Sequence, residues 1–518
     1  MRASLPMVLV SVFCAAIYAG CGARAPGAMV TPTPPDTSPG SLPHTGRPSP
    51  EPGGRVRILM SGRWTSETGS ARDDLDRFLI AATGQGLLGR DPDGETGPRL
   101  ASAGGPETNG IHGAEWRFEI DPTATWPDGN PVRAEDVVAS WKRALRLESS
   151  PARWLLAPVA GALPFALGEA DAVDGLQAED GVLVVRLVHP TPDLRERLIH
   201  PSLTVWRSGV DPGLRGTGPF RATPDDSAFL AVAGRTLLER VDVVDASTSE
   251  AKLLARLGEV DVAVVYGRTA SAFLDDVEPS EADRFTLERL EAWDRFYFLV
   301  LSPSARWTRD PAFRHWMSDA IDRTSMMRYL FDGLGAWPCD LLSRCGDEAI
   351  AHDNPAIRWR VPSGVRPRLA LTFDPHDRIA SDIAARIKAD LADAGVGVDL
   401  DPRSRDDLDR ELRSGRLQAA LVFRRSWTPD PLLTLLDTLH TASPGSGDAG
   451  AALIDAVREP PGSGSRAVAA DAVQERILRE ATIVPVARID AWIVTAPGLA
   501  LDPGVSPSLD IAHAGWLP

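Results

Sequence analysis

Strand-like and helix-like segments alternate from residue 55 to the end of the chain, and this alternation constrains the fold most. Runs with a two-residue apolar period are typical of strands, and apolar residues three or four apart are typical of helices. The strand candidates are residues 55–60, 115–120, 181–188, 260–266, 295–301, 368–373, 419–423 and 491–496. The helix candidates are residues 73–88 (ending at Gly89), 134–147, 250–257, 311–322, 378–395 and 469–480. This order predicts α/β architecture with parallel or mixed sheets.

A turn followed by a helix is expected over residues 126–138. Residues 127–129 read Pro-Asp-Gly, and glycine adopts the positive φ that many turns require. Pro131 disfavours helix before it, and the acidic residues that follow favour a helix start. We expect Val137 and Val138 to pack inward.

The first residues have the pattern of an export signal. Arg2 precedes an apolar run over residues 5–17, and small residues stand before Cys21. The run is shorter than the apolar stretch that a transmembrane helix usually needs. Small residues followed by cysteine resemble a bacterial lipobox, although Tyr18 stands where that pattern usually begins with Leu. We predict a signal peptide over 1–20 and a lipid on Cys21; ordinary cleavage with an incidental thiol is the alternative.

Residues 21–54 are predicted to form a tether. Residues 22–54 hold nine prolines in 33 positions and almost no large apolar side chain, so they cannot bury enough surface to order themselves. Such a segment would let a folded domain move at some distance from a membrane.

The composition excludes several classes of protein. Hydrophobic residues make up 43% and charged residues 24% of the 518 residues, as in ordinary soluble domains. This excludes a disordered chain, a fibrous repeat and a polytopic membrane protein. With 55 basic against 71 acidic residues the net charge is −16, which argues against a nucleic-acid partner.

Two cysteines remain in the folded part, Cys339 and Cys345. Because an exported protein meets oxidising conditions, we expect a structural disulfide between them. A metal site is the alternative, but two thiols six residues apart, with no histidine nearby, do not match the usual ligand set of a zinc site. The sequence lacks the common serine-hydrolase, zinc-protease, P-loop and C-x-x-C motifs. We therefore expect no enzyme, no cofactor and no metal site.

The chain resembles the extracytoplasmic solute-binding proteins of ABC importers, in particular the family 5 oligopeptide, dipeptide and nickel type. The block over 116–138 carries the most specific match, with Arg133 standing where the family commonly has threonine. Further blocks follow in the family's order, and together they cover nearly all of residues 55–518. These blocks lie at residues 86–101, 216–220, 257–262, 310–323, 427–431 and 483–486.

The resemblance implies a type II periplasmic-binding fold: two mixed α/β lobes joined by a hinge, with an extra domain on the first lobe. The first lobe would combine residues 55–89, 191–290 and 487–518. The extra domain would span 90–190, and the second lobe 291–486. The ligand would be bound between the lobes, and closure about the hinge would bury it.

The resemblance also marks a departure at the expected ligand site. Peptide-binding relatives carry an aspartate that pairs with the ligand's α-ammonium, and Trp427 stands in its place, after Arg424 and Arg425. The amine-binding group is missing unless Asp430 or a shifted register supplies it. The segment can instead offer a stacking surface and donors for carboxylate or phosphate. In the alternative interpretation it is a surface turn in which Trp427 caps the core and the arginines face water. Trp64, after the first strand, is a second candidate.

The resemblance therefore predicts a lipid-anchored binding protein of the cell envelope, located in the periplasm or on the outer face of the membrane. Its partners would be a peptide or other small solute, ABC permease subunits and the membrane through the lipid, and the protein would be a monomer. A relative that keeps the fold as a sensor, chaperone or partner-binding protein is the alternative function. An exported enzyme is a third possibility, which the missing motifs disfavour.

Overall fold

The structure is a computed structural model. The part of the chain that it describes comprises residues 50–62, 73–90, 94–106, 114–148, 150–210, 215–223, 228–256, 258–274, 285–338, 341, 359–360, 364–425, 427–442, 457, 459–501, 509 and 511–517.

The strands of this part are, in chain order, β1 (Arg55–Leu59), β2 (Leu88–Arg90), β3 (Thr96–Pro98), β4 (Ala101–Pro106), β5 (Glu115–Ile120), β6 (Leu176–Glu179), β7 (Val182–Arg186), β8 (Phe220–Ala222), β9 (Ala228–Ala231), β10 (Arg240–Val243), β11 (Val262–Tyr266), β12 (Thr286–Arg289), β13 (Arg295–Leu301), β14 (Gly335–Ala336), β15 (Arg368–Phe373), β16 (Gly397–Pro402), β17 (Ala419–Arg425), β18 (Ile483–Ile489), β19 (Ala491–Thr495), β20 (Leu499–Ala500) and β21 (Gly515–Trp516).

The α-helices are α1 (Asp74–Thr83), α2 (Ala134–Arg146), α3 (Ala152–Leu155), α4 (Ala162–Leu167), α5 (Leu194–Leu198), α6 (Ala251–Arg256), α7 (Gly267–Leu274), α8 (Pro311–Ala320), α9 (Arg323–Leu330), α10 (Arg378–Asp393), α11 (Arg405–Arg413), α12 (Pro431–Ala442) and α13 (Gly464–Glu480). Short 3₁₀ turns lie at Pro201–Leu203, Thr248–Glu250 and Glu291–Trp293.

Two large mixed sheets organise the molecule. The seven-stranded sheet has the order β12-β19-β11-β1-β10-β9-β8, with β1 parallel to β10 and β11 and the remaining pairs antiparallel. The six-stranded sheet has the order β14-β18-β13-β17-β15-β16, with β15 parallel to β16 and β17. The prediction of a mixed α/β fold is confirmed.

A four-stranded antiparallel sheet, in the order β4-β5-β7-β6, lies in sequence between β1 and β8 of the seven-stranded sheet. Helix α2 packs against β6 and β7, and its Val137 and Trp141 are fully buried there. This sheet therefore has a hydrophobic core of its own, separate from the core that joins the two large sheets.

Two connections carry the chain between the large sheets, from β12 to β13 and from β18 to β19. The buried carboxylate of Asp294 lies between them. It accepts hydrogen bonds from Arg289 (Nη2, 2.8 Å), Arg488 (Nε, 2.6 Å) and the backbone N–H of Ala491 (3.0 Å). Because these three residues belong to β12, β18 and β19, one carboxylate ties both connections together.

The turn and helix expected over residues 126–138 are present. Gly129 has a φ of +84°, and its N–H donates to the carbonyl of Trp126 at 2.9 Å. The Asp136 carboxylate accepts the backbone N–H of Arg133 at 2.9 Å, which stabilises the start of α2. Of the two valines expected to pack inward, Val137 is fully buried and Val138 is partly exposed at the edge of the same core.

The first helix ends earlier than predicted. Helix α1 stops at Thr83 rather than at Gly89, and Gly84 has extended backbone. A Cβ on Gly84 would lie 2.4 Å from Cγ2 of Thr204, and Gln85 forms a β-bridge with Val205. The chain leaves the helix because this close backbone pairing replaces the helical hydrogen bonds. Glycine also has a low helix propensity, which makes this replacement easier.

Candidate functional site

The ends of β13 and β17 place two arginines directly opposite each other in the six-stranded sheet. Arg295 pairs in register with Arg425, and their side chains are only 5% and 3% exposed. Like charges at opposed positions destabilise an antiparallel pair. A negative charge from outside the sheet is therefore needed to compensate them.

Asp74 supplies this charge. It is the first residue of α1, which follows β1 of the seven-stranded sheet. One oxygen of its carboxylate lies 2.5 Å from Arg295 Nη2 and the other lies 2.7 Å from Arg425 Nη2. The hydroxyl groups of Ser61 and Tyr266 donate to it at 2.6 and 2.9 Å. The carboxylate thus joins segments that belong to the two large sheets.

The charges of this cluster follow from burial and proximity. Burial alone would raise the pKa of Asp74, but Arg295 and Arg425 outweigh it and hold that pKa below its ordinary value. Burial, with the charge of Asp74 close by, raises the pKa of Tyr266. Asp74 is therefore an ionised acceptor, and Tyr266 is a neutral donor to it.

Asp377 contacts one arginine of this pair, Arg295, from within the six-stranded part. It precedes α10 and accepts the backbone N–H groups of Ile379 and Ala380 at 3.1 and 3.3 Å. The same oxygen lies 3.4 Å from Arg295 Nη1, and the other oxygen accepts the hydroxyl of Tyr297 at 2.8 Å. The hydrogen-bonding capacity of this carboxylate is thus largely used inside the protein.

The arginine pair keeps donors that are not used. Within the described residues, Nε of Arg295 and Nε of Arg425 have no hydrogen-bond partner. Nη2 of Arg425 contacts Asp74 as an ion pair but without the direction that a hydrogen bond requires. Nε and Nη2 form the edge of a guanidinium that binds a carboxylate with two parallel bonds. Within the described residues, this edge of Arg425 therefore lacks the acceptor that it could bind.

Arg424 does not share this site. Consecutive residues of a strand point to opposite faces, so Arg424 lies on the other side of β17 from Arg425. Its guanidinium carbon is 4.9 Å from the ring centre of Phe296, and its Nη2 donates to the carbonyl of Leu341 at 3.2 Å. Burial lowers the pKa of Arg424 to about 10. The part of the alternative interpretation in which Arg424 and Arg425 face water is wrong, because both are buried at the end of a strand.

Trp427 packs into the core of the four-stranded sheet. Its side chain is 2% exposed, and it contacts the ring of His200 edge-on at 4.8 Å and Trp154 at 6.2 Å. Its indole N–H has no acceptor among the described residues. Trp427 therefore joins the six-stranded part of the chain to the four-stranded sheet.

Asp430 is engaged in an internal network. Its Oδ1 accepts the backbone N–H groups of Leu432 and Leu433 at 2.9 Å each, which caps the start of α12. Its Oδ2 lies 2.7 Å from Arg466, and a second nitrogen of that guanidinium lies 2.7 Å from Asp193. Asp430 and Asp193 thus share one buried cation.

Three further titratable groups lie near Trp427 and Arg424. Burial raises the pKa of Asp437 to about 6, against the opposing pull of Arg424 and Arg77. Burial lowers the pKa of His440 to about 4, and it lowers that of His200 well below its ordinary value. Both histidines are therefore neutral at neutral pH.

The remaining predicted site residues lie outside the described part of the chain: Trp64, the lipidation candidate Cys21, and the disulfide candidates Cys339 and Cys345. Sequence reasoning missed Asp74, Arg295 and Asp377. A signal was present in the sequence, because Arg295 is a charged residue directly before the apolar run over 296–301.

Comparisons with known proteins agree with this architecture. The family model for bacterial extracellular solute-binding proteins, family 5 Middle, matches residues 98–336. Protein XP55 of Streptomyces lividans is 24% identical over 404 residues, which are 70% of this chain and 69% of that protein. The periplasmic oligopeptide-binding protein OppA of Escherichia coli is 33% identical over 123 residues, which are 23% of this chain and 22% of OppA.

The fold similarity extends further along the chain than these sequence matches. The solved structure of the Escherichia coli murein tripeptide binding protein MppA matches with a TM-score of 0.74 and 18% identity. The match covers 91% of this chain and 99% of that one. Residues 98–336 thus match the family 5 extracellular solute-binding proteins, and the fold of the chain is similar to that of MppA.

The described residues contain neither a membrane-crossing helix nor a cluster that could hold a metal ion. No helix among them is long and apolar enough to cross a membrane. Nor do these residues include a group of three or more histidine, cysteine or acidic side chains placed to hold a metal ion.

Proposed function

We propose that this protein is the lipid-anchored solute-binding component of an ABC importer and that it holds a peptide or similar small solute between its two large sheets. One observation carries the proposal. Asp74, from the seven-stranded part, forms buried ion pairs with Arg295 and Arg425, from the six-stranded part. Polar groups that converge between two lobes are the usual composition of a solute site.

The proposal assigns the sheets to the parts that the family implies. The seven-stranded sheet would be the core of the first lobe, the six-stranded sheet the core of the second, and the four-stranded sheet the extra domain. Asp294, which ties both connections together, would lie in the hinge. Of the ligand residues expected from the sequence, Arg425 and Trp427 are kept in the proposal because each has a buried donor that meets no acceptor among the described residues.

The lipid anchor belongs to the same proposal and depends on the sequence pattern before Cys21. Metabolic labelling with a tagged fatty acid should mark the full-length protein, and Cys21→Ser should abolish the label. Labelling that survives this substitution would remove Cys21 as the lipidation site.

Native mass spectrometry of the full chain, purified gently from a bacterial host, tests solute binding. We expect an additional bound mass that disappears on denaturation. If none is found, a thermal-shift screen should find a ligand, which at about 100 times its Kd adds roughly 2.7 kcal/mol. If peptides, metal complexes and sugars all fail in that screen, the importer role is refuted for this chain.

A further inference from the structure

The arginine pair points to the chemistry of the solute. We propose that Arg295 and Arg425 hold a carboxylate of the bound solute, so that the solute is recognised through its acid end rather than through an amino group. This inference rests on the proposed function, because it requires that a solute is bound between the two large sheets.

The first argument is the geometry of the donors. Arg295 and Arg425 stand directly opposite each other on neighbouring strands, so their guanidinium groups face the same side of the sheet. The guanidinium carbons of both lie near the ring of Phe423, at 5.2 and 5.1 Å from its centre, a contact that uses no N–H group. Two planar donor groups on one face match the shape of a carboxylate.

The second argument is the donors that stay unused. Buried N–H groups without an acceptor are rare in folded proteins, and in the described residues Nε of both arginines is in this state. On Arg425 the neighbouring Nη2 also lacks a directed hydrogen bond. An acceptor-rich group from a solute would supply the missing bonds, whereas an ammonium group would add donors where donors are already in excess.

The third argument is that the nearby acids are engaged. Asp74 binds both arginines and two hydroxyl groups, and Asp377 binds Tyr297 and the start of α10. Asp430 is shared between Arg466 and the start of α12. An ammonium group at these three positions would have to displace an existing buried ion pair or helix cap. Asp437 is the described acid that such a group could use, and the experiment below includes that outcome.

The test compares three forms of one random-sequence tripeptide pool: free termini, N-acetylated and C-amidated. The full chain is incubated with each pool in mild detergent, unbound peptide is removed, and bound peptide is quantified by mass spectrometry. The N-acetylated pool should bind as well as the free pool. The C-amidated pool should bind about tenfold or more weakly, because it lacks a charged hydrogen-bond acceptor.

A matched pair of variants assigns the effect to the arginine pair. Arg425→Lys keeps a positive charge beside Asp74 but removes the Nε–Nη2 edge, so discrimination against the amidated pool should fall to less than about threefold. Arg314→Lys is the control: Arg314 is equally buried, but its nitrogens donate to the carbonyls of Thr308 and Glu480. This control should keep the discrimination of the unchanged protein.

The outcomes separate the two proposals. Strong binding of the amidated pool, with or without loss of the acetylated pool, overturns the carboxylate inference and leaves solute binding in place. Loss of the acetylated pool together with strong binding of the amidated one assigns recognition to an amine, for which Asp437 is the candidate. If no form of the pool binds, peptide binding itself fails, and the inference fails with it. The pool comparison on the unchanged protein tests the carboxylate inference even if Arg425→Lys does not fold.

Discussion

Two buried aspartates of this protein titrate in opposite directions because their neighbours differ. Asp74 contacts two arginines and two hydroxyl groups, and its pKa is held below the ordinary value. Asp437 is also buried, but the pull of Arg424 and Arg77 does not outweigh desolvation, and its pKa rises to about 6. The charge of a buried carboxyl therefore depends on its contacts, not on burial alone.

The raised pKa of Asp437 predicts a pH-dependent stability. A carboxyl whose pKa is about 4 when unfolded and about 6 when folded stabilises the fold below pH 4 and loses this contribution as the pH rises through 6. Relative to the wild type, Asp437→Asn should therefore gain about 2 kcal/mol of unfolding free energy between pH 4 and pH 7. Urea unfolding at the two pH values measures this difference.

Asp128→Asn is the control for that slope. Hydrogen bonds from Asn130 and Arg207 lower the pKa of the exposed Asp128 to about 2, so in the folded protein it is ionised at pH 4. Only the last part of its titration in the unfolded chain falls above pH 4, so its substitution should change the slope between pH 4 and pH 7 far less than Asp437→Asn does. A parallel slope for wild type and Asp437→Asn would contradict the raised pKa.

At the scale of elements, the glycines of the Gly216–Phe220 block have a packing role that the sequence motif alone does not reveal. A Cβ on Gly216 would lie 1.9 Å from the carbonyl oxygen of Thr83, and one on Gly218 would lie 2.4 Å from the carbonyl carbon of the same residue. The block passes directly over the last turn of α1, and only glycine leaves room for this approach. The motif therefore sets where α1 ends against its neighbour.

Gly216→Ala should destabilise the protein by about 2–3 kcal/mol, because the added methyl group forces the backbone away from α1. Chemical denaturation at neutral pH gives this number directly. Gly97→Ala is the matched control, since a Cβ there meets nothing within 4 Å and the change should stay within about 0.5 kcal/mol. Equal costs at the two positions would mean that the contact with Thr83 is not what requires glycine.

At the scale of the whole molecule, buried ion clusters connect parts of the chain that lie far apart in sequence. Arg466, on α13, joins Asp193 beside α5 to Asp430 at the start of α12. Asp74 and Asp294 make comparable connections between the two large sheets and across the two crossing segments. Desolvation makes such clusters costly when one member is removed, so they favour this one relative arrangement of the parts.

Asp193→Asn tests the role of these clusters at the buried group of Asp193, Arg466 and Asp430. The substitution leaves Arg466 and Arg197 with one carboxylate fewer, and we expect a loss of about 3–5 kcal/mol in unfolding free energy. Hydrogen exchange should also become faster in α5 and α13, at both ends of the broken contact. Glu475→Gln, in an exposed pair with Arg479, should leave both measurements unchanged. Exchange that stays slow in α5 and α13 would show that Arg466 does not join them.

The sequence by itself determined the elements and the fold class. The mixed α/β sheets, the turn at 127–129 and helix α2 follow from local period, turn chemistry and capping, which act between residues close in the chain. Tertiary structure decided the rest. That Arg425 meets Asp74 while Arg424 does not depends on strand register, on the face of β17 and on a helix more than 300 positions away in the chain. Long-range charge pairing has no local signature, so only the folded chain could bring Asp74, Arg295 and Arg425 together.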